Sequence, residues 1–382
     1  MIYIDISAAV HSRAGLGRYA QSLAQALVEE TPDRFTLFYN KGSDGRVPSI
    51  LHSSPQKGVN LGYKPWRLLL YLANLLHLSF EPLIPQAELF HSTEHLLLPV
   101  RHIPTVLTVH DLIFKLYPEH HKRLNYYYLN LAMPLFCRRA SSIIAISEAT
   151  KRDIVEHYGV DPAKIHVVYE AASPHFKTPA AHDIARVRKK YSLPEHYLLH
   201  LSTVEPRKNL DRLVDALLIL RQEFPDLSLI LVGSRGWLCD DFFKRIESNQ
   251  LSEIVRTLGW VDDQDLPAVI GAASLAVQPS LYEGFGLPIL EHMACGQVVA
   301  ASDASSHPEV GGNAAAYYDP KNIEQMVRVI RDLLTYKEEY ERRVELGIEQ
   351  AEKFSWKKAA AETTTVYDQL IRGEPVEERV EK

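Results

Sequence analysis

Two carboxylates frame the stretch "EGFGLPILE", Glu283 before a turn holding Gly284 and Gly286, and Glu291 after it. Glycines so closely spaced disfavour regular helix and suit a tight turn or a close backbone approach to a ligand. From Leu287 onward "LPILEHMAC" has helical character, with Pro288 where its missing N–H costs little. A helix start exposes unpaired N–H groups and a partial positive charge, both of which favour an anion. One reading is a capped helix with two solvated carboxylates, since most acidic side chains lie at the surface. The other is a ligand-binding turn. The stretch "HLSTVEPRKNLDRLV" adds Arg207 and Lys208, just ahead of a helix starting near Asn209. Two cations there run against the helix dipole unless an anion joins them. A diphosphate is such an anion, with Arg offering a bidentate fork and Lys a point charge. The plainer alternative is two solvated cations beside Glu205.

Three further stretches carry less. "SRAGLGRY" follows the first apolar run and contains Gly15-x-Gly17, part of a dinucleotide fingerprint with no acidic partner on a second strand. It fits either a strand-to-helix turn or a loop whose N–H groups approach a phosphate or sugar. "TVLTVHDLIF" ends a strand in His110-Asp111. A buried His is commonly structural, but a polar pair at the carboxyl end of a strand is also where α/β sheets bind ligands. "VDDQDLPAVIG" holds Asp263 and Asp265 in a D-x-D, a pattern some sugar transferases use for a metal. Its place at a helix start predicts capping instead, and no other cluster has metal-ligand spacing.

These residues need elements to position them. "IYIDIS", "FTLFY", "TVLTVHD", "SSIIAIS" and "KIHVVY" read as strands, and "GRYAQSLAQALVEE" puts Tyr19, Leu23 and Leu27 on one helical face. The segment 170–183 is rich in Ala, Pro and polar residues and reads as a linker. Beyond it "YLLHLS", "LSLILVG", "EIVRTLGWV", "SLAVQPS" and "QVVAAS" are strand candidates, with helices from about 209, 264, 287 and 322. Strands apolar almost throughout, alternating with helices, imply parallel sheets covered on both faces. Two doubly wound α/β domains are expected, with ligands at strand carboxyl ends and in a cleft between the domains.

Composition narrows the classes. The 382 residues suffice for two domains. Lys plus Arg number 42 against 48 Asp plus Glu, a net charge of −6, which argues against a nucleic-acid binder relying on a broad basic surface. Three scattered cysteines, Cys137, Cys239 and Cys295, give no disulfide framework and suit a reducing cytoplasm. "MIYIDIS" lacks the features of a signal peptide. The longest apolar stretch, 67–80, is too short to span a bilayer and is expected to form a buried helix.

Taken together the motifs resemble the retaining glycosyltransferases of family 4 with the GT-B fold, over nearly the full chain. The resemblance rests on "GLGRY", "HD" after "TVLTV", "IIAISEATKRDI", "EPRKN", "LGWVDDQDL", "PSLYEGFGLPILEHMACG" and "FSWKKAAAETTTVYD". It implies an N-terminal acceptor-binding Rossmann-like domain over 1–178, completed by a C-terminal helix over 357–382. It also implies a nucleotide-sugar-binding domain over 184–356. Carried over residue by residue, Glu283, Phe285, Gly286 and Leu287 face the donor's sugar and phosphate, and Glu291 the ribose. Arg207 and Lys208 clamp the diphosphate, His110 lies beside the reacting sugar, and Gly15, Leu16 and Gly17 lie beside phosphate and acceptor. The chain departs from the family's pattern twice. Ser202 and Thr203 stand where an Arg often precedes "EPRK", and the glycine loop opens on Ala14 rather than a second Gly.

The implied activity is retaining transfer of a hexose from a nucleoside-diphosphate sugar to a sugar or lipid-linked glycan acceptor, as in surface polysaccharide synthesis. "TVEPRKN" favours GDP-mannose over UDP-glucose. No cofactor and no metal is expected besides the donor, and no nucleic-acid partner. The expected location is the cytoplasm, with peripheral membrane contact through 64–78 and 120–130, where cations and aromatics mix with apolar residues; ordinary core helices are the alternative there. A GT-B epimerase or phosphorylase, or a non-catalytic sugar-nucleotide-binding subunit, would share the fold.

Overall fold

Runs that are apolar at every position can be satisfied only between two covering layers, and both halves of the chain solve this with a parallel sheet. The structure, a computed structural model, describes residues 1–12 and 14–373. It divides into two units. Unit 1 holds Met1–Leu116, Arg123–Glu170 and the closing segment from Ser355; unit 2 holds Tyr117–Lys122 and Ala171–Phe354. The unit boundary at Glu170 falls where the linker begins.

The sheet of unit 1 has seven strands, β1 (Ile2–Asp5), β2 (Phe35–Asn40), β3 (Gln56–Val59), β4 (Leu89–Ser92), β5 (Thr105–Val109), β6 (Ser142–Ala145) and β7 (Ile165–Val167), in the order β3-β2-β1-β4-β5-β6-β7. Unit 2 repeats the plan with β8 (Tyr197–Leu201), β9 (Ser228–Val232), β10 (Val255–Gly259), β11 (Leu275–Gln278), β12 (Val299–Ser302) and β13 (Ala316–Tyr318), ordered β10-β9-β8-β11-β12-β13. Every pairing is parallel. Strand order reverses beside β1 in unit 1 and beside β8 in unit 2, and these switch points are where such sheets leave room for a ligand. This is the expected doubly wound α/β architecture.

The helix Ala14–Glu30 buries Tyr19, Leu23 and Leu27, as their spacing predicts. The closing helix, Trp356–Arg372, packs within unit 1: Tyr367 hydrogen-bonds His91 on β4, Asp368 pairs with Arg34, and Trp356 meets Tyr19 edge-on. Residues 374–382 of the expected helix 357–382 lie outside the described residues.

Three expectations need correction. Gly15, Leu16 and Gly17 are not in a loop; they form the first turn of Ala14–Glu30, after a short helix Ser7–Val10. A Cβ at Gly17 would come within 2.9 Å of the Ala8 carbonyl oxygen, so that glycine lets the two helices approach, whereas Gly15 faces open space. The stretch 67–80 is not a buried helix. Helix Tyr63–Leu75 buries Trp66, Leu70 and Ala73 and leaves Leu68, Leu72 and Leu75 exposed. Strands β3, β4 and β13 have no counterpart among the apolar runs.

Candidate functional site

The strongest constellation lies at the switch point of unit 2. Strands β8 and β11 are neighbours, with Leu199 opposite Ala276, so the segments leaving their carboxyl ends meet. One brings Glu205, Arg207 and Lys208; the other brings Glu283. Lys208 Nζ lies 2.6 Å from Glu283 Oε1 and Arg207 Nη1 lies 2.6 Å from Glu283 Oε2. Arg207 also pairs with Glu205 and donates to the Tyr282 carbonyl at 2.6 Å. All four side chains are largely buried, which excludes the solvated-cation reading. The cluster carries two cations and two carboxylates and is self-neutralised.

Burial alone would raise the Glu283 pKa, but the charges of Arg207 and Lys208 override it and hold the carboxyl well below its ordinary range. Burial, then the neighbouring Arg207, pushes the Lys208 ammonium down, against the pull of Glu283. These cations are therefore held largely dehydrated, and hydrogen bonds from charged donors are the strong ones in such surroundings.

The glycine turn follows directly. Gly286 has φ +103° and precedes helix Leu287–Ala294, with Pro288 in the first turn. A Cβ there would meet His307 Cδ2 at 2.9 Å. The turn is pinned from behind: Ser306 Oγ donates to the carbonyls of Glu283 (3.0 Å) and Phe285 (2.6 Å), and Ser305 Oγ donates to Glu283 (2.5 Å). His307, at about 4 through burial, is neutral; its Nδ1 pairs with Ser302 Oγ at 2.9 Å. Leu287 and the N–H groups behind it thus sit on a fixed frame beside the cations. Glu291, one turn in, is 2% exposed, so neither carboxylate of the opening motif is solvated.

Asp265 occupies the position before helix Leu266–Gly271 but makes no side-chain cap. Its carboxylate instead takes Arg186 at 2.5 Å, Lys190 at 2.6 Å and Tyr191 at 2.8 Å. Burial opposes ionisation there, but these donors prevail and lower its pKa to about 2. The capping expectation is thereby corrected at Asp265, whose carboxylate serves an ion-pair network. Among the described residues no group of three His, Cys, Asp or Glu is placed to hold a metal ion.

In unit 1, His110 follows β5 and is buried. Its Nε2–H donates to the Thr93 carbonyl at 2.9 Å, and Nδ1 lies 3.5 Å from Glu170 Oε1. Burial disfavours the charged imidazolium, yet the Glu170 carboxylate and the Thr93 carbonyl outweigh it and raise the pKa. Both ring nitrogens face acceptors, so His110 is arranged as a donor and not as a general base. Tyr19 packs edge-on against it with centroids 4.7 Å apart, tying it to the helix that Gly15, Leu16 and Gly17 begin.

The structure therefore joins Arg207, Lys208 and Glu283 directly, with Phe285, Gly286, Leu287 and Glu291 on the same turn and helix. It places His110 and Gly15 to Gly17 together in unit 1. Sequence reading missed Glu170, Thr93, Ser305, Ser306 and His307. Glu170 opens the presumed linker, and nothing local marks it as a partner of His110.

The model of "Glycosyl transferases group 1" matches residues 183–350 and that of "Glycosyltransferase Family 4" residues 13–175. The chain is 31% identical over 374 residues to the O-antigen chain mannosyltransferase B of Escherichia coli, covering 93% of this chain and 96% of the relative. The protein belongs to the family 4, group 1 glycosyltransferases. It is a glycosyltransferase of the GT-B fold. It is also 31% identical over 276 residues to the serotype-specific mannosyltransferase WbdA of Escherichia coli, 69% of this chain but 33% of that longer protein. The fold matches HepE of Anabaena, solved with UDP and glucose, at a TM-score of 0.75 and 20% identity over 96% of this chain and 99% of that one. WaaG, a glycosyltransferase involved in lipopolysaccharide biosynthesis, matches at 0.70 and 15% identity over 96% and 99%.

Proposed function

We propose that this glycosyltransferase moves a mannosyl group from GDP-mannose to a sugar or lipid-linked glycan acceptor, with retention at the anomeric carbon and without a metal, in surface polysaccharide assembly. The observation that carries the reading is the dehydrated, self-neutralised cluster of Glu205, Arg207, Lys208 and Glu283 beside the helix start at Leu287. A diphosphate brings the negative charge that lets Arg207 and Lys208 turn from Glu283. The freed Glu283 carboxylate then accepts hydrogen bonds from donor sugar hydroxyls, and Glu291 accepts them from the ribose. The mannosyltransferase relatives support the choice of sugar.

In the transfer, the bond from the anomeric carbon to the diphosphate oxygen breaks and one to the acceptor oxygen forms on the same face. The acceptor proton passes to the departing diphosphate. Arg207, Lys208 and the N–H groups at Leu287 stabilise the charge that builds on that leaving group. His110, in unit 1, has both ring N–H groups held by Thr93 and Glu170 and offers positive charge beside the reacting sugar, with Gly15 to Gly17 near phosphate and acceptor. A thermal-shift panel of nucleoside diphosphates and their sugars, followed by NMR of the product's anomeric centre, tests this. GDP and GDP-mannose should stabilise most, since a ligand that binds only the folded state stabilises it by mass action, and the product should keep the donor's configuration. Preferential stabilisation by UDP, or an inverted product, overturns the assignment.

A further inference from the structure

A buried polar chain runs through unit 1 from the closing helix to His110. Tyr367, on the helix Trp356–Arg372, hydrogen-bonds His91 Nδ1 on β4, and His91 Nε2 lies 2.8 Å from Thr108 Oγ1 on β5. Thr108 Oγ1 in turn lies 3.1 Å from the Tyr19 hydroxyl. Each of these four side chains is at most 2% exposed. Thr108 and His110 are two positions apart along one extended run, so they share a face, and Tyr19 spans both. Its hydroxyl meets Thr108, while its ring stands at 89° to the His110 imidazole with centroids 4.7 Å apart. The closing helix reaches Tyr19 a second time through Trp356, whose ring lies 5.8 Å away. Trp356 and Tyr367 are about three turns apart and fall on one side of that helix.

Such a chain is directional. Burial, with the charge of His110 adding to it, lowers the His91 pKa to about 3, so this imidazole is neutral. A neutral imidazole donates through one nitrogen and accepts through the other. The sense of the hydrogen bond at Tyr367 therefore dictates the sense at Thr108, and with it whether the Tyr19 hydroxyl donates or accepts. Buried polar groups cost stability unless each is paired, and apolar side chains of similar shape would fill the same space without that demand. What the polar chain adds is a fixed orientation for the ring that bounds His110. The other groups facing His110 are Glu170, Asp111, the Thr93 carbonyl and His95, whose ring lies 5.8 Å away and whose Nε2 accepts the His110 N–H at 3.2 Å. None of these four belongs to the closing helix, so that helix acts on the imidazole through Tyr19.

We propose that Tyr19 is a positioning residue for His110 and that the chain Tyr367–His91–Thr108 holds its ring in place, so that docking of the closing helix sets the imidazole the transfer reaction uses. The inference rests on the role given to His110 above, yet its first readout is a titration that needs no sugar. Cutting the chain frees the ring, loosens the imidazole between Thr93 and Glu170, and lets burial weigh more. Tyr367→Phe and Tyr19→Phe each delete one hydroxyl and keep the ring. In both, the NMR midpoint of His110 should fall by roughly half a pH unit and kcat about threefold to tenfold, with the donor KM nearly unchanged. The double variant should be no worse than either single one, because both cut the same chain. Tyr19→Leu, which removes the ring, should lose more in both readouts. Tyr3→Phe deletes a unit 1 hydroxyl outside the chain, one that donates to the Pro85 carbonyl, and should change neither. Variants that melt lower with the His110 midpoint and kcat unmoved would show the chain to be structural only and overturn the proposal, as would additive losses in the double variant. If no mannosyl transfer is found at all, the proposed reaction fails while the titration still decides the chain: a fall in both single variants supports it, and an unmoved midpoint overturns it.

Discussion

At the scale of single residues, the account turns on charges that compensate one another until a ligand intervenes. Glu283 neutralises two buried cations, so Glu283→Gln should lower the melting temperature of the ligand-free protein and increase the further stabilisation by GDP, which replaces the lost charge. Glu291→Gln should instead weaken GDP binding, by about 1.5–3 kcal/mol for a charged hydrogen bond. Calorimetry with GDP separates them: a loss confined to Glu283→Gln contradicts the division between sugar and ribose. Because the folded Glu283 pKa is depressed, its pairing stabilises the fold fully above its ordinary value of 4.5, and that contribution is lost as pH falls towards the folded value. His110 has the opposite sign. Its raised pKa adds stability below its ordinary value of 6.5, and this is lost as pH rises through the folded value. An NMR titration should place the His110 midpoint above 6.5 in the wild type and lower than that of the wild type in Glu170→Gln, where the largest opponent of burial is gone. An unchanged midpoint in the variant would show that Glu170 does not hold the proton.

At the scale of elements, the glycines divide into those the fold needs and those it does not. Gly17→Ala drives a Cβ against the Ala8 carbonyl and should destabilise unit 1, whereas Gly15→Ala meets nothing and gains about 0.5–1 kcal/mol of helix propensity. If Gly15 lets a substrate approach the helix start, Gly15→Ala will melt no lower than the wild type yet transfer sugar more slowly. Full activity in that variant would remove Gly15 from the site. The same contrast shows what local pattern can reveal. β1, β5, β8 and β11 announce themselves as apolar runs because they are central and covered on both faces. β3, "QKGV", is an edge strand whose residues are mostly exposed, so it carries no apolar signal. β4 ends in His91 and Ser92, polar but buried; His91 is satisfied by Thr108 and by Tyr367 from the far end of the chain. Neighbouring residues do not report such partners.

At the scale of the whole molecule, two sheets repeat one strand plan, and Arg207, Lys208 and Glu283 fall at the switch point of the second. Glu283, Arg207, Lys208 and the glycine turn were legible because a helix start with two cations is unfavourable without an anion. Glu170, Ser305, Ser306 and His307 were not, because their work is to hold other residues and depends on distant backbone. The D-x-D at Asp263 and Asp265 is a pattern whose context decides its use: with Arg186, Lys190 and Tyr191 on Asp265, chelation by EDTA should leave transfer unchanged, and activity restored only by Mg²⁺ or Mn²⁺ would reverse that reading. The central claim is that the charged cluster of unit 2 exists to receive a diphosphate. Titration calorimetry of GDP into the wild type and into Lys208→Ala tests it most directly, since Glu283 keeps Arg207 as a partner and the variant should stay folded. The account predicts affinity weaker by roughly tenfold to a hundredfold, the worth of one charged hydrogen bond; equal affinity in a folded variant would contradict it.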